Sequence, residues 1–318
     1  MKPFRKHVAI AIDGGGIRGV IVTKALEAVE DALGQRLGEI AELAAGTSTG
    51  SVIASGIALN LSASEMTGMY RYFAPKVFGK SLRYYLWPLL NHRYSNAVLK
   101  SELDRQTGNK RMGDLWTNAR KFDLIVTTRD LHEARTRFIK SWKPEYRKMP
   151  ITTAVLASSA APTYFPVIEG RFIDGGVGSF GNPCFLAAYE ARLVLGWKPE
   201  ETTLISLGTG RLKQGIAGLP LHAPDRLISF QWLPVIFDTF ITDSNDQQAR
   251  VVKQFFDGLD FRRFQVPIER IELDDISAID RLLAYGETLG KMMLADQTDP
   301  ELDLPVYQIA QDGGAARS

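Results

Sequence analysis

Short apolar runs alternate with longer segments of helical periodicity along most of the chain. Val8 to Ile12 and Thr202 to Leu207 have the length and apolarity of buried strands. Val20 to Leu33 and Ile276 to Leu294 carry apolar residues at helical spacing. This β–α alternation predicts a mostly parallel sheet covered by helices, which is an α/β fold.

The middle of the chain predicts a hairpin, a helix and a strand that ends in a carboxylate. Phe122 to Thr128 and Thr136 to Trp142 resemble two strands joined by a polar turn. Ile151 to Ala161 predicts a helix that Pro162 stops. Val167 to Asp174 then predicts a strand, and two glycines follow it. Strand ends are where α/β folds place functional side chains.

One pentapeptide, Gly46 to Gly50, has the G-x-S-x-G pattern and lies between two apolar runs. The runs, Ile40 to Ala45 and Val52 to Leu59, predict a strand, a sharp turn and a helix. Such a turn exposes its serine, Ser48, as a nucleophile at the start of the helix. The alternative is an ordinary tight turn in which a hydroxyl side chain caps the helix.

A glycine-rich loop, Asp13 to Gly19, follows the first predicted strand and allows two interpretations. Its G-x-G-x-x-G spacing, with Glu39 twenty residues beyond Gly19, is typical of a dinucleotide-binding fold. Asp13, however, would place a carboxylate beside the pyrophosphate. The same loop could instead present the N–H groups of Gly15 and Gly16 to an oxyanion, with positive charge from Arg18. The loop alone leaves both interpretations open, and Arg18 could equally hold the loop by pairing with a carboxylate.

Composition narrows the classes of function. A chain of 318 residues with 45% hydrophobic and 23% charged residues is an ordinary globular protein, and one domain is its simplest account. A net charge of +2 gives no electrostatic reason to expect nucleic acid as a partner. The single cysteine, Cys184, excludes an internal disulfide, and no cluster has the spacing of metal ligands. We therefore expect no metal and no cofactor. Without an apolar run of about 18 residues, we expect no transmembrane helix and a cytoplasmic protein.

Two aromatic segments are candidates for contact with lipid. Lys80 to Leu90 mixes basic, aromatic and aliphatic residues, as a peripheral membrane contact would, although a half-buried connector has the same composition. Leu227 to Ile241 is strongly apolar and predicts either core or the wall of an acyl-chain pocket. In the second case Trp232 and Phe237 would contact substrate.

Three glycine-flanked motifs together resemble the signature of the patatin-like phospholipase family. They are Gly14-Gly15-Gly16-Ile17-Arg18-Gly19, Gly46-Thr47-Ser48-Thr49-Gly50 and Asp174-Gly175-Gly176. The resemblance implies a three-layer α/β/α fold with a mostly parallel central sheet. It would form one domain over residues 1–318, with a core at about 8–300 and a tail at 301–318. It also implies Ser48 as nucleophile, Asp174 as general base, and Gly14, Gly15 and Gly16 as the oxyanion hole, with Arg18 as anion support.

The histidines agree with a dyad that has no histidine. Only His222 follows Asp174, as a Ser…Asp…His order requires, and it lies in a proline-flanked loop with no other mark of a site. The expected function is hydrolysis of carboxylic esters of phospholipids or related lipids, with an acyl-serine intermediate. The alternatives are a nucleotide-binding protein that uses Gly14, Gly16 and Gly19, a family member switched on by an activator, and a catalytically idle one. Head group, chain length and oligomeric state are left open.

Overall fold

A seven-stranded mixed sheet forms the centre of the computed structural model, which describes residues 1–86, 91–212 and 245–303. Its spatial order is β4-β3-β2-β1-β6-β8, and β5 also pairs with β3. The pairs β1–β2, β1–β6, β2–β3 and β6–β8 are parallel, whereas β4 and β5 run antiparallel to β3. A separate two-stranded sheet pairs β7 with β9. The strands are β1 His7–Ile12, β2 Leu43–Gly46, β3 Asp123–Asp130, β4 Arg135–Lys140, β5 Phe172–Asp174, β6 Thr202–Leu207, β7 Arg211–Leu212, β8 Asp260–Phe264 and β9 Pro267–Ile268.

Helices surround this sheet. A π-helical turn, Glu190–Val194, directly follows the helix Cys184–Tyr189. Short 3₁₀ segments occur at Gly16–Arg18, Met112–Leu115, Gly175–Gly178, Pro199–Glu201, Ile276–Ala278 and Pro300–Asp303. The α-helices are α1 Gly19–Leu33, α2 Leu37–Ile40, α3 Thr49–Ala58, α4 Ala63–Val77, α5 Leu82–Leu86, α6 Ala97–Thr107, α7 Ile151–Ser158, α8 Cys184–Tyr189, α9 245–255 and α10 Ile279–Leu294.

Apolar side chains fill both faces of the sheet. Along β1, Ile10 and Ile12 join a cluster that includes residues of α1 and α3, whereas Ala9 and Ala11 join a second cluster with α8. Successive side chains of a strand point to opposite faces, so the helices of the two clusters cover opposite sides. The predicted α/β fold with a mostly parallel, helix-covered sheet is confirmed.

Two strands, β2 and β5, are shorter in the structure than the sequence predicts. The apolar run from Ile40 starts inside α2, so β2 begins only at Leu43. The strand predicted from Val167 is confined to Phe172–Asp174, because Glu169 and Gly170 adopt positive φ of 52° and 63° and turn the chain. The predicted hairpin is present as β3 and β4.

The pairing of β5 places Asp174 next to the turn that follows β2. Strand β2 pairs with β3 as far as Gly46, opposite Val126. On the other edge of β3, β4 pairs along the whole of Ile125–Asp130. Strand β5 must therefore use the edge that β2 leaves, and it does so from Thr128, opposite Asp174. The end of one strand and the turn after another thus meet over the same edge of the sheet.

Several predictions fall outside the described residues. Leu227 to Ile241 with Trp232 and Phe237, His222, the end of the Lys80 to Leu90 segment and the chain after residue 303 are among them. Within the parts that the structure describes, no helix is both long and apolar enough to cross a bilayer.

Candidate active site

Ser48 stands at the tip of the turn between β2 and α3, in a backbone conformation that is rare for a residue with a side chain. Its φ and ψ are 54° and −124°, and its N–H donates a 2.9 Å hydrogen bond to Ser158 Oγ. The flanking glycines make this turn possible. A Cβ on Gly46 would lie 2.2 Å from the Gly50 carbonyl oxygen, and a Cβ on Gly50 would lie 2.2 Å from that of Ile12. Strain of this kind at a half-exposed serine is a feature of nucleophile turns.

Asp174 lies near Ser48, and one of its two carboxylate oxygens accepts no hydrogen bond from the described residues. The residue is 1% exposed, and its Oδ1 accepts a 2.8 Å hydrogen bond from the Gly176 N–H. Its Oδ2 is buried and has no hydrogen-bond partner within the described ranges. Burial raises the pKa of Asp174 from 3.8 to about 6, against the opposing effects of the Gly176 N–H and the nearby Ser48 hydroxyl. The hydroxyl influences the carboxylate without a hydrogen bond of full geometry, as is common in unliganded active sites.

In the glycine loop, the N–H of Gly14 is hydrogen-bonded within the protein, whereas those of Gly15 and Gly16 have no acceptor among the described residues. The Gly14 N–H donates a 2.9 Å hydrogen bond to the Gly181 carbonyl, so it is not available to an oxyanion. This corrects the expectation that all three glycines are donors. No described residue accepts a hydrogen bond from the N–H of Gly15, Gly16 or Thr49. All three border the same cavity as Ser48.

Thr49 is a candidate donor that the sequence reasoning missed. It is the first residue of α3, where an N–H has no partner inside the helix. Its position directly after Ser48 in the pentapeptide was the available signal, because the residue after the nucleophile supplies an oxyanion-hole N–H in the related turns of α/β-hydrolases.

The two charged residues of the loop are directed into the protein. Asp13 is fully buried and pairs with Arg263 through hydrogen bonds of 2.6 and 2.8 Å, while Asn245 donates to it at 3.2 Å. Arg18 is 6% exposed, and its Nε donates to the Gly15 carbonyl at 3.4 Å. These contacts make Asp13 and Arg18 supports of the loop.

An apolar cavity of about 120 Å³ adjoins Ser48, the two glycines and Thr49. Most of its wall comes from one face each of α3, α4 and α6. The residues of these faces are Val52, Ile53, Ser55, Gly56, Met66, Met69, Tyr70, Phe73, Ala74, Val77, Leu99, Glu102, Leu103, Gln106 and Thr107. Met66, Met69 and Phe73 are spaced so that they share one face of α4, and this face borders the cavity. In the described ranges, no group of three or more His, Cys, Asp or Glu side chains could hold a metal ion.

Comparison with known proteins identifies the family. A family model described as Patatin-like phospholipase matches residues 10–187, more than half of the chain. The protein belongs to the patatin-like phospholipase family. This confirms the resemblance carried by the three motifs, and all three lie within the matched range.

Relatives in this family come from animals, bacteria and plants. An intracellular phospholipase A2 of Caenorhabditis elegans is 29% identical over 296 residues, covering 85% of this chain but only 26% of the nematode protein. A cGAMP-activated phospholipase of Pseudomonas aeruginosa is 28% identical, covering 87% of this chain and 83% of that protein. Patatin-like protein 2 of Arabidopsis thaliana is 26% identical and covers 96% and 85%. Membership and relatives support a lipid-hydrolysing enzyme.

Proposed function

We propose that the protein is a lipid acyl hydrolase in which Ser48 is the nucleophile and Asp174 the general base. The observation that carries the proposal is the buried, unpartnered Oδ2 of Asp174 beside the strained Ser48 turn. A serine hydroxyl needs a base within reach, and a carboxylate with a pKa of about 6 is a stronger base than an exposed one. At neutral pH it is still ionised and able to accept a proton.

The proposed reaction has two halves. Ser48 Oγ attacks the ester carbonyl while its proton passes to Asp174, and the carbonyl oxygen becomes an oxyanion held by the N–H groups of Gly15, Gly16 and Thr49. The intermediate collapses, the C–O bond to the alcohol breaks, and the alcohol takes the proton from Asp174. Water then loses a proton to Asp174 and attacks the acyl-serine. The C–O bond to Ser48 breaks, Ser48 Oγ takes the proton back from Asp174, and the fatty acid is released.

The substrate class follows from the apolar cavity beside the nucleophile. Its wall is formed mainly by aliphatic, methionine and aromatic side chains. Burial of an acyl chain there would contribute about 0.8 kcal/mol for each CH₂ group. This supports a carboxylic ester of a phospholipid or related lipid, with the acyl chain in the cavity.

The test is hydrolysis by purified wild type, Ser48→Ala and Asp174→Asn. The assays use a p-nitrophenyl ester and phospholipid vesicles, with free fatty acid as the product measured. We expect at least a thousandfold loss in both variants. Ser101→Ala serves as control, because this exposed α6 serine donates only to the Val98 carbonyl. Wild-type turnover that survives Ser48→Ala would refute the assignment.

We further propose that a surface formed by Tyr84, Tyr85 and Leu86, the aromatic patch, rests on the lipid interface. Tyr85 and Leu86 are 67% and 41% exposed. Lys80 Nζ lies 5.3 Å from the centre of the Tyr84 ring, so positive charge accompanies the aromatic residues. Amphipathic rings with basic neighbours are typical of membrane interfaces.

Sedimentation with anionic vesicles tests this contact. The double substitution of Tyr84 and Tyr85 by serine should lower the bound fraction severalfold. Phe255→Ser removes an aromatic side chain that is 70% exposed on the opposite face of the sheet, and it should leave binding unchanged. Equal sedimentation of all three proteins would contradict the proposal.

A second candidate is the same hydrolase in an activator-dependent form. The relative from Pseudomonas aeruginosa that aligns over most of both chains is described as cGAMP-activated. Hydrolysis measured with and without a cyclic dinucleotide decides between the forms. Equal rates favour the constitutive enzyme, and a large rise favours the switched one.

A further inference from the structure

The cavity beside Ser48 has a direction that the helical spacing of its lining residues defines. The lining positions on α3 are Thr49, Val52, Ile53, Ser55, Gly56 and, just past the helix, Leu59. These positions repeat at three- and four-residue intervals, so they form one stripe along the whole helix. The cavity therefore runs along α3, from Ser48 at the N-terminal end of that helix to Leu59 at its other end.

The positions of α6 and α7 are consistent with a cavity that runs along α3. The Thr107 hydroxyl, at the end of α6, lies 3.3 Å from that of Thr152 at the start of α7. Ser158, at the far end of α7, instead contacts the Ser48 N–H. Thr107 is thus about 9 Å, the rise of six helical residues, from the level of Ser48. It borders the cavity.

One glycine on the stripe allows a methionine to pack against α3. A Cβ on Gly56 would lie 2.4 Å from Met66 Sδ and 3.2 Å from Met66 Cγ. Met66 is 3% exposed and itself lines the cavity. A side chain at position 56 would therefore displace the thioether, and the flexible methionine has the cavity as free space beside it.

The position of this contact corresponds to a particular length of chain. Gly56 lies eight residues beyond Ser48, or about 12 Å along the helix at a rise of about 1.5 Å per residue. An extended hydrocarbon advances about 1.25 Å per bond, given a bond length near 1.5 Å and a bond angle near 111°. An acyl chain of roughly ten carbons on Ser48 would reach the level of Gly56, and a longer one would pass it towards Leu59.

We propose that Gly56 and Met66 determine the acyl-chain length that the enzyme accepts, by leaving the cavity open beyond about the tenth carbon. This inference rests on the proposed function, because it places an acyl chain on Ser48. The absent side chain at position 56 keeps Met66 against α3 and the distal half of the cavity free.

The test measures kcat/KM for p-nitrophenyl esters of four, eight and twelve carbons, so that only the acyl part varies. In Gly56→Ala, the ratio of the twelve-carbon to the four-carbon value should fall at least tenfold. The variant should fold, because alanine is the better helix former. Adding Met66→Ala to Gly56→Ala removes the displaced side chain and should restore the ratio to within about threefold of wild type.

The control is Gly68→Ala on α4, where a Cβ would meet nothing within 4 Å, and it should keep the wild-type ratio. An unchanged ratio in Gly56→Ala, with ester hydrolysis intact, would overturn the length assignment and leave the proposed function standing. Acetate esters of long-chain alcohols supply a second comparison. If Gly56→Ala discriminates against alcohol length and not acyl length, the cavity holds the leaving group and the inference is wrong. Absence of any Ser48-dependent hydrolysis in wild type would instead refute the proposed function.

Discussion

Replacement of Asp174 by asparagine should make the protein more stable while it abolishes activity. The carboxylate is 1% exposed, and burial raises its pKa from 3.8 to about 6. Asparagine is nearly the same size, keeps an oxygen for the Gly176 N–H and carries no charge to desolvate. The substitution therefore removes an unfavourable burial of charge and the proposed base at once, a trade-off between stability and function.

The magnitude follows from the two pKa values. Asp174 binds its proton more tightly in the folded than in the unfolded state, so ionisation destabilises the fold progressively as the pH rises from 3.8 through about 6. From the two pKa values, ionisation of Asp174 lowers the free energy of unfolding by about 1.5 kcal/mol at pH 5. At pH 7.5, where the carboxylate is ionised in both the folded and the unfolded state, it lowers that free energy by about 3 kcal/mol. Asp174→Asn should therefore exceed wild type in unfolding free energy by about these amounts.

Urea unfolding at pH 5 and pH 7.5 measures the difference, with Asp257→Asn at an exposed position as control. The value of kcat/KM should also decrease as the pH falls below about 6, because Asp174 must be ionised in the free enzyme to act as the base. A variant no more stable than wild type at pH 7.5, or a difference that does not change with pH, would refute the reasoning. So would a rate that stays constant down to pH 4.5.

Two further substitutions probe the glycine loop. Gly15→Ala would place a Cβ 2.3 Å from Thr209 Oγ1, so the loop must shift. Loss of one oxyanion donor typically lowers kcat about a hundred- to a thousandfold, and a loss below tenfold on a p-nitrophenyl ester would exclude Gly15 as a donor. Arg263→Ala leaves the buried Asp13 carboxylate without its ion-pair partner and should cost about 3–5 kcal/mol in urea unfolding. Arg281→Ala, in an exposed pair, should cost about 1 kcal/mol or less, and equal costs for the two would contradict the role of burial.

The fold was predictable because its signals are local. Strand and helix periodicities identify β1, α1, β6 and α10 directly, and the β–α alternation implies the parallel sheet. The turn around Ser48 was predictable for the same reason, because Gly46 and Gly50 supply its geometry within five residues. The shortened β5 was not, because a single glycine after Glu169 is a weak signal for the turn that precedes Phe172.

What the sequence could not supply depends on contacts between distant segments. The Gly14 N–H is occupied by a carbonyl at Gly181, and the partner of Asp13 is Arg263 on another strand. The cavity needs three helices, α3, α4 and α6, and their mutual arrangement depends on contacts that the sequence does not show. Trp232 and Phe237, which the sequence suggested for acyl contacts, lie outside the described residues, and the described part of the cavity wall includes Met66 and its neighbours.

The central claim is that Ser48 is the nucleophile, and covalent labelling tests it most directly. Wild type, Ser48→Ala and Asp174→Asn are treated with a fluorophosphonate, and the modified residue is mapped by peptide mass spectrometry. The account predicts one adduct, on the peptide that carries Ser48, absent from Ser48→Ala and strongly reduced in Asp174→Asn. Undiminished labelling of Ser48→Ala, or an adduct on another residue in wild type, would contradict it.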